Sequence, residues 1–313
     1  MNISPGYLSR ILIVFCLMVS TVTSISQDGL KKIPRVLKKL EAGEPVTILA
    51  LGDSITTHFG NYCRNKRYFR IPLQISYYGV FAGYLKMRYP EANIKLINKG
   101  IGGETANRGL ARVDKDVIAC KPDLVFVMYG ANDGRGGRSE EQYGIELETI
   151  VKKIKKSGAD VILVAPTMSL VDLAWLLPFR QRVLSLSKKL DTPVLDGTLA
   201  LWPVDEDVKT LEEVQQYLSR HFPHYGDNIH PWYPGHVQMG RRLFEQLTEG
   251  IPEPPLTLKI STKGKLTFPG SITFTLSCKN VSAKPFKGSV EVFLPYKLKI
   301  NGQETITEKL PNR

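Results

Sequence analysis

From Val46 to Leu247 the chain alternates short apolar runs with amphipathic stretches. The runs "VTILALG", "NIKLIN", "DLVFVMYG", "DVILVAP" and "PVLDG" are each closed by turn residues, the pattern of strands buried on both faces. Between them, "YYGVFAGYLKMRY", a basic stretch, "EEQYGIELETIVKKIKKSG", the segment 171–190, a polar stretch over 206–220 and "PGHVQMGRRLFEQL" read as helices. Such alternation predicts βαβ units joined by right-handed crossovers. The result is an α/β fold in three layers, a parallel sheet with helices on both sides.

The pattern changes at "EGIPEPPLTL", where Pro252, Pro254 and Pro255 predict a stiff linker over 251–255. Beyond it "LTLKIST", "KLTFPG", "SITFTLSC", "GSVEVFLP" and "KLKING" follow a period of two, predicting a small all-β sandwich-like domain over 256–313. That span is shorter than the ~100 residues usual for a sandwich, so a truncated or incomplete module is one expectation for it. At the other end, Arg10 precedes the apolar run "ILIVFCLMV" and the small residues Val22 and Ser24. This predicts a signal peptide over 1–24 and a mature sheet domain over 25–250, with an uncleaved anchor as the alternative.

Composition sharpens this picture in three ways. With 313 residues, 42% hydrophobic and 23% charged, the chain has material for one large core and a small second domain. Lys and Arg number 42 against 30 Asp and Glu, a net charge of +12, which favours polyanionic surroundings such as an envelope surface or an acidic polysaccharide. No zinc-finger spacing, basic heptad region or aromatic RNA-binding signature accompanies that charge, so nucleic acid is not the expected partner. Beyond the leader, Cys63, Cys120 and Cys278 are an odd and scattered set, not a disulfide framework. Spacing leaves a single Cys63–Cys120 bridge open.

Candidate chemistry begins at "VTILALGDSITTHFG", where Ser54 falls at the carboxyl end of the first predicted strand, the edge at which open α/β sheets bind ligands. A serine needs a base, and the base needs an orienting group. Of five histidines, His230 stands out because Asp227 precedes it by one turn, a spacing that sets a carboxylate against Nδ1 and leaves Nε2 outward. A tetrahedral intermediate also needs donors for its oxyanion. Two further strand ends supply candidates: "NKGIGGETA", whose glycines let backbone N–H groups approach, and "VMYGANDG", with the side-chain amide of Asn132.

The "GDS" of Gly52–Ser54, the glycine of "GGET", the asparagine of "GAND" and the "DNIH" ahead of a terminal helix together resemble the SGNH hydrolases, the GDSL lipase and esterase family. Order and spacing match over Val46 to Leu247. The resemblance implies a three-layer α/β/α flavodoxin-like fold and no metal or organic cofactor. It implies Ser54 as nucleophile, His230 as base, Asp227 as its orienter, and Gly103 and Asn132 as oxyanion donors beside the Ser54 backbone N–H. Gly102 is the alternative to Gly103. Ile55 departs from the family's frequent leucine after the serine, an equally apolar replacement.

Rival assignments fit less of the chain. A dinucleotide fingerprint on Gly100, Gly102 and Gly103 fails at Thr105, and an α/β-hydrolase elbow fails at Thr56. His221, His224, Asp227 and His230 have metal-compatible spacing, but Pro223 and Gly226 interrupt any helix there, and a metal leaves Ser54 and Asn132 unexplained. The basic segment "CRNKRYFRIP" offers Arg67 and Tyr68 as substrate contacts overhanging the nucleophile, its other reading being a solvated loop. His58, four residues from Ser54, is a candidate pocket residue, and His236 reads as a helix start.

The function expected from sequence is that of an exported serine ester hydrolase, secreted or in the cell envelope, without stable membrane insertion once the leader is cleaved. Its substrate is expected to be a carboxylic ester, an O-acetyl group on carbohydrate, cleaved through an acyl-enzyme. A lipid esterase or lysophospholipase is the alternative within the class. A non-catalytic carbohydrate-binding or adhesion protein is the alternative outside it.

Overall fold

The apolar runs become strands because each stacks hydrophobic side chains on both faces of a sheet that helices then cover. The computed structural model describes residues 30–57, 59–62, 67–70, 72–167, 173–201, 230–231, 233–248, 256–263, 273–280, 289–293 and 305–309. In chain order these contain α1 (Pro34–Glu41), β1 (Val46–Gly52), β2 (Phe59–Tyr62), β3 (Arg67–Arg70), α2 (Tyr77–Arg88), β4 (Ile94–Gly100) and α3 (Ala106–Asp116). There follow β5 (Leu124–Met128), α4 (Ala131–Arg135), α5 (Glu140–Lys156), β6 (Asp160–Ala165), α6 (Leu173–Lys189), β7 (Val194–Asp196), α7 (Gly197–Leu201) and α8 (Tyr233–Thr248).

Five strands form one parallel sheet in the order β4-β1-β5-β6-β7. Renumbered within the sheet this is 2-1-3-4-5, the flavodoxin-like order, which places a switch point between β1 and β5. Alternate residues of each strand serve different layers. Leu49, Leu51, Val125, Val127, Val161 and Leu163 pack with Val113, Ile150 and Phe179 from α3, α5 and α6. Phe126 points the other way, into the rings of Tyr77 and Phe81 on α2. Phe244 of α8 extends that cluster onto Phe81 and Tyr84.

Besides the short helices α4 and α7, two elements not expected from the sequence pattern stand out. α1 has Pro34 in its first turn, a favoured place for proline, and buries Val36 and Leu40. Its outer side is tied to the sheet by the nearly buried Asp123, which accepts from Arg35 Nε at 2.8 Å, Lys39 Nζ at 3.0 Å and the Thr47 N–H at 2.8 Å. These cations and the Thr47 N–H outweigh burial and hold the Asp123 carboxyl below its ordinary range. The second is the antiparallel hairpin of β2 and β3, pairing Phe59 with Arg70 and Tyr62 with Arg67, where the basic segment reads as a loop.

The predicted helix over 206–220 lies outside the described residues. So do the leader, the linker and the strands expected at 265–270 and 297–302. The chain divides into two compact units, one of which ends at Ile251. In the other, β8 (Leu256–Lys263) pairs antiparallel with β9 (Thr273–Asn280), and β10 (Ser289–Phe293) with β11 (Thr305–Lys309). Among the described residues no helix is long and apolar enough to cross a membrane. Cys120 is a free, half-buried thiol donating to the Asp116 carbonyl at 3.3 Å, while Cys63 lies outside the described residues.

Candidate active site

β1 ends at Gly52, and the next residues coil into a tight turn that presents Ser54. Asp53 builds the turn twice: its Oδ1 accepts from the Ile55 N–H at 3.0 Å and its carbonyl accepts from the Thr57 N–H at 3.0 Å. The Thr57 hydroxyl donates to the Ser54 carbonyl at 2.6 Å. Asn98 on β4 braces the far side, donating to the Thr56 carbonyl at 2.7 Å and to the Tyr78 hydroxyl at 2.6 Å, while its Oδ1 accepts from the Gly100 N–H at 2.8 Å. Glycine is required at position 100 by close approach. A Cβ there would lie 2.5 Å from Thr57 N and 2.8 Å from Thr56 C.

Ser54 Oγ lies 2.8 Å from His230 Nε2, across a sequence separation of 176 residues. His230 stands three residues before α8, and α8 is docked by an internal polar contact. The fully buried His236 accepts the Tyr77 N–H on Nδ1 at 3.3 Å and stacks on the Tyr77 ring, 5.9 Å between centroids and 13° between planes. His236, read from sequence as a helix start, is thus a core residue joining α8 to α2. Gly240 lets the two helices close further, since a Cβ there would lie 2.4 Å from the Tyr77 carbonyl.

The other expected donors sit on the neighbouring strand ends. Gly103, at φ +75°, lies in the exposed turn after β4, and Asn132 lies in the first turn of α4 after β5. Asn132 Nδ2 donates to the Glu104 carbonyl at 3.1 Å, so the two turns touch. Glu104 is itself buried, its carboxylate held by the Arg112 guanidinium, with Nε to Oε1 at 2.7 Å, and by the Tyr129 hydroxyl at 2.8 Å. Hydroxyl, imidazole, exposed glycine turn and side-chain amide therefore occupy the carboxyl ends of the sheet around the switch point. Such a set can transfer a proton from oxygen to nitrogen and present N–H groups to a developing oxyanion.

Beneath Ser54, Asp53 is buried and its carboxyl is pushed up from 3.8 to about 7. Desolvation is the largest cause. The Ile55 N–H and nearby His230 favour the charged form, whereas Asp133 and Glu104 oppose it.

Of the remaining expected residues, Asp227 and His58 lie outside the described residues, as do His221 and His224 of the metal alternative. Arg67 and Tyr68 fall in β3, whose side chains are likewise outside. Among the described residues no group of three or more His, Cys, Asp or Glu is placed to hold a metal ion. Sequence reasoning passed over Asp53, Asn98 and Asp133, buried or half-buried polar side chains bonded to backbone of a site turn, and Glu104, whose buried carboxylate is held by Arg112 and Tyr129. The signal available was a polar residue in or beside an apolar strand end.

The sequence pattern of the GDSL-like lipase/acylhydrolase family matches residues 50–237. An acetylxylan esterase of Geobacillus stearothermophilus is 40% identical over 95 residues, 30% of this chain and 42% of the relative. An arylesterase of Vibrio mimicus is 29% identical over 116 residues, 37% of this chain and 52% of the relative. The chain thus spans about half the length of these relatives. A solved structure of the Geobacillus stearothermophilus acetyl xylan esterase, in a variant form, superimposes with a TM-score of 0.50 at 23% identity, covering 64% of this chain and 94% of that one. An α/β hydrolase from the metagenome of Lake Arreo gives a TM-score of 0.50 at 21% identity over the same shares. These two likenesses carry the fold. The family match covers more than half of the chain, which belongs to the GDSL-like lipase/acylhydrolase family.

Proposed function

We propose that the chain is an exported serine ester hydrolase that removes O-acetyl groups from carbohydrate through an acyl-enzyme. The observation that carries the hydrolase reading is the 2.8 Å contact between His230 Nε2 and Ser54 Oγ. In this reading Ser54 gives its proton to Nε2 as Oγ attacks the ester carbonyl. The oxyanion accepts from the N–H groups of Ser54 and Gly103 and from the Asn132 amide. His230 returns the proton to the departing alkoxide, then takes one from water as that water attacks the acyl carbon and passes it to Ser54 Oγ as the acyl–Oγ bond breaks, releasing the acid. Asp227 orients the ring from Nδ1.

Support for an acetylated polysaccharide substrate comes from the 40% identity to an acetylxylan esterase, from the net charge of +12, and from the strands appended after the linker. Export is supported by the apolar run behind Arg10. Wild type should hydrolyse p-nitrophenyl acetate and acetylated xylo-oligosaccharides, and react with a fluorophosphonate at Ser54. Ser54→Ala should lose at least ~10³-fold in kcat. Activity that survives the substitution, or a wild type inert on every ester that still pulls down polysaccharide, refutes the assignment. Faster turnover of long-chain acyl lipids than of acetylated glycans refutes the substrate class alone.

A further inference from the structure

The two turns assigned as oxyanion donors are joined by a side chain that takes no part in the chemistry. Asp133 follows Asn132 directly and is fully buried. Its Oδ1 accepts from the Ala106 N–H at 2.9 Å, three residues beyond Gly103, and its Oδ2 accepts from the Gly130 N–H at 3.1 Å, two residues before Asn132. One carboxylate therefore bridges the start of α3, just past the Gly103 turn, to the turn after β5. Gly130 adopts φ +123°, so the chain reverses sharply just where that carboxylate takes its N–H. The Arg138 guanidinium approaches Oδ1 at 3.7 Å and is bonded in turn to Glu146.

A buried carboxylate is a costly way to tie two loops, because leaving water disfavours its charge. Burial does push the Asp133 carboxyl up, against the two N–H groups and Arg138. What an uncharged residue of the same size lacks is the ability to accept on both oxygens at once. The second tie runs parallel to the first: Asn132 Nδ2 donates to the Glu104 carbonyl at 3.1 Å, and the Glu104 carboxylate is fixed by Arg112, which also donates to the Lys99 carbonyl at 2.7 Å. The segment carrying Gly103 is thus held from Asn132 and from Asp133, two consecutive residues of one helical turn.

We propose that Asp133 is a positioning residue that sets the distance between the Gly103 N–H and the Asn132 amide, so that both reach one oxyanion. Rate is sensitive to such spacing, since a misplacement of about 1 Å costs on the order of 10²-fold. The inference rests on the hydrolase reading above. Donors that act on the tetrahedral state affect kcat more than KM.

The test uses the full chain and p-nitrophenyl acetate. Asp133→Asn should lose about 10²-fold in kcat with KM within about threefold of wild type. In an Asn132→Ala background the same substitution should cost no more than about tenfold, because one of the two donors it registers is already gone. Ala106→Pro is the companion variant. It removes one N–H from the bridge at the first helical position, where proline is favoured, after a Thr105 already extended at φ −111° and ψ 162°. It should lower kcat about tenfold whether or not Asp133→Asn folds. A wild type that hydrolyses no ester overturns the hydrolase reading and this inference with it. With an active wild type, three results overturn the inference alone: unchanged kcat in both variants, a loss carried by KM, or an equal loss in the Asn132→Ala background.

Discussion

Replacing Asp53 by asparagine isolates the cost of burying one carboxylate under Ser54. The folded protein holds this carboxyl at about 7 against 3.8 in an open chain. Between those values the unfolded chain releases a proton that the folded chain keeps, so ionisation favours unfolding and stability falls as pH rises. A gap of roughly three pH units amounts to about 4 kcal/mol when fully developed. Part of it is already present at pH 5, where the open-chain group is mostly ionised. The share that develops between pH 5 and pH 8 is about 2–3 kcal/mol. An asparagine side chain would keep an acceptor for the Ile55 N–H and has no charge to desolvate. The gap in unfolding free energy between Asp53→Asn and wild type should therefore widen by about 2–3 kcal/mol from pH 5 to pH 8, in favour of the variant. Urea titrations followed by tryptophan fluorescence at matched ionic strength measure it, and taking the difference cancels opposing carboxylates such as Asp123, whose pKa is lowered. A gap that stays constant within about 0.5 kcal/mol, or narrows, refutes the electrostatic account of the turn.

Two other substitutions probe the same strand ends. Gly100→Ala sets a methyl group 2.5 Å from Thr57 N and 3.0 Å from the Asp53 carbonyl, rigid backbone on both sides. It should destabilise by about 1–3 kcal/mol in urea and reduce kcat by displacing Ser54, and wild-type values for both would show that the turn yields easily. Asn132→Ala should lower kcat by about 10²–10³-fold with little change in KM, and steady-state kinetics on p-nitrophenyl acetate would contradict the oxyanion assignment if the loss fell in KM instead.

The sheet was legible because each of its strands is a short apolar run closed by a turn, and the helices between them repeat at the right spacing. α1 escaped notice because eight residues carry too few turns to show a period. The hairpin of β2 and β3 escaped because "FGNY" and "RYFR" do not alternate apolar with polar. Ser54, Gly103 and Asn132 stand out in sequence because they follow apolar strand runs, and His230 because it precedes the last helix of the sheet unit. Asp53, Glu104 and Asp133 read as ordinary turn polars, since their partners are backbone groups and side chains that only folding brings near. Arg138, an arginine six residues beyond Asn132, turns to Asp133 and Glu146. His236 shows the same limit. No local pattern separates a helix-start histidine from one stacked on a tyrosine 159 residues earlier.

On the hydrolase reading, the docking of α8 on α2 makes turnover wait for the last helix of the sheet unit. The hydroxyl and both assigned donor turns belong to the first half of the chain, whereas the imidazole arrives only when the last helix of the sheet unit seats against Tyr77. On the hydrolase reading, a chain in which α8 has not docked holds the serine and both donor turns without their base. On that reading, ester turnover during refolding reports the seating of α8 against Tyr77, whereas a far-UV signal also reports the sheet.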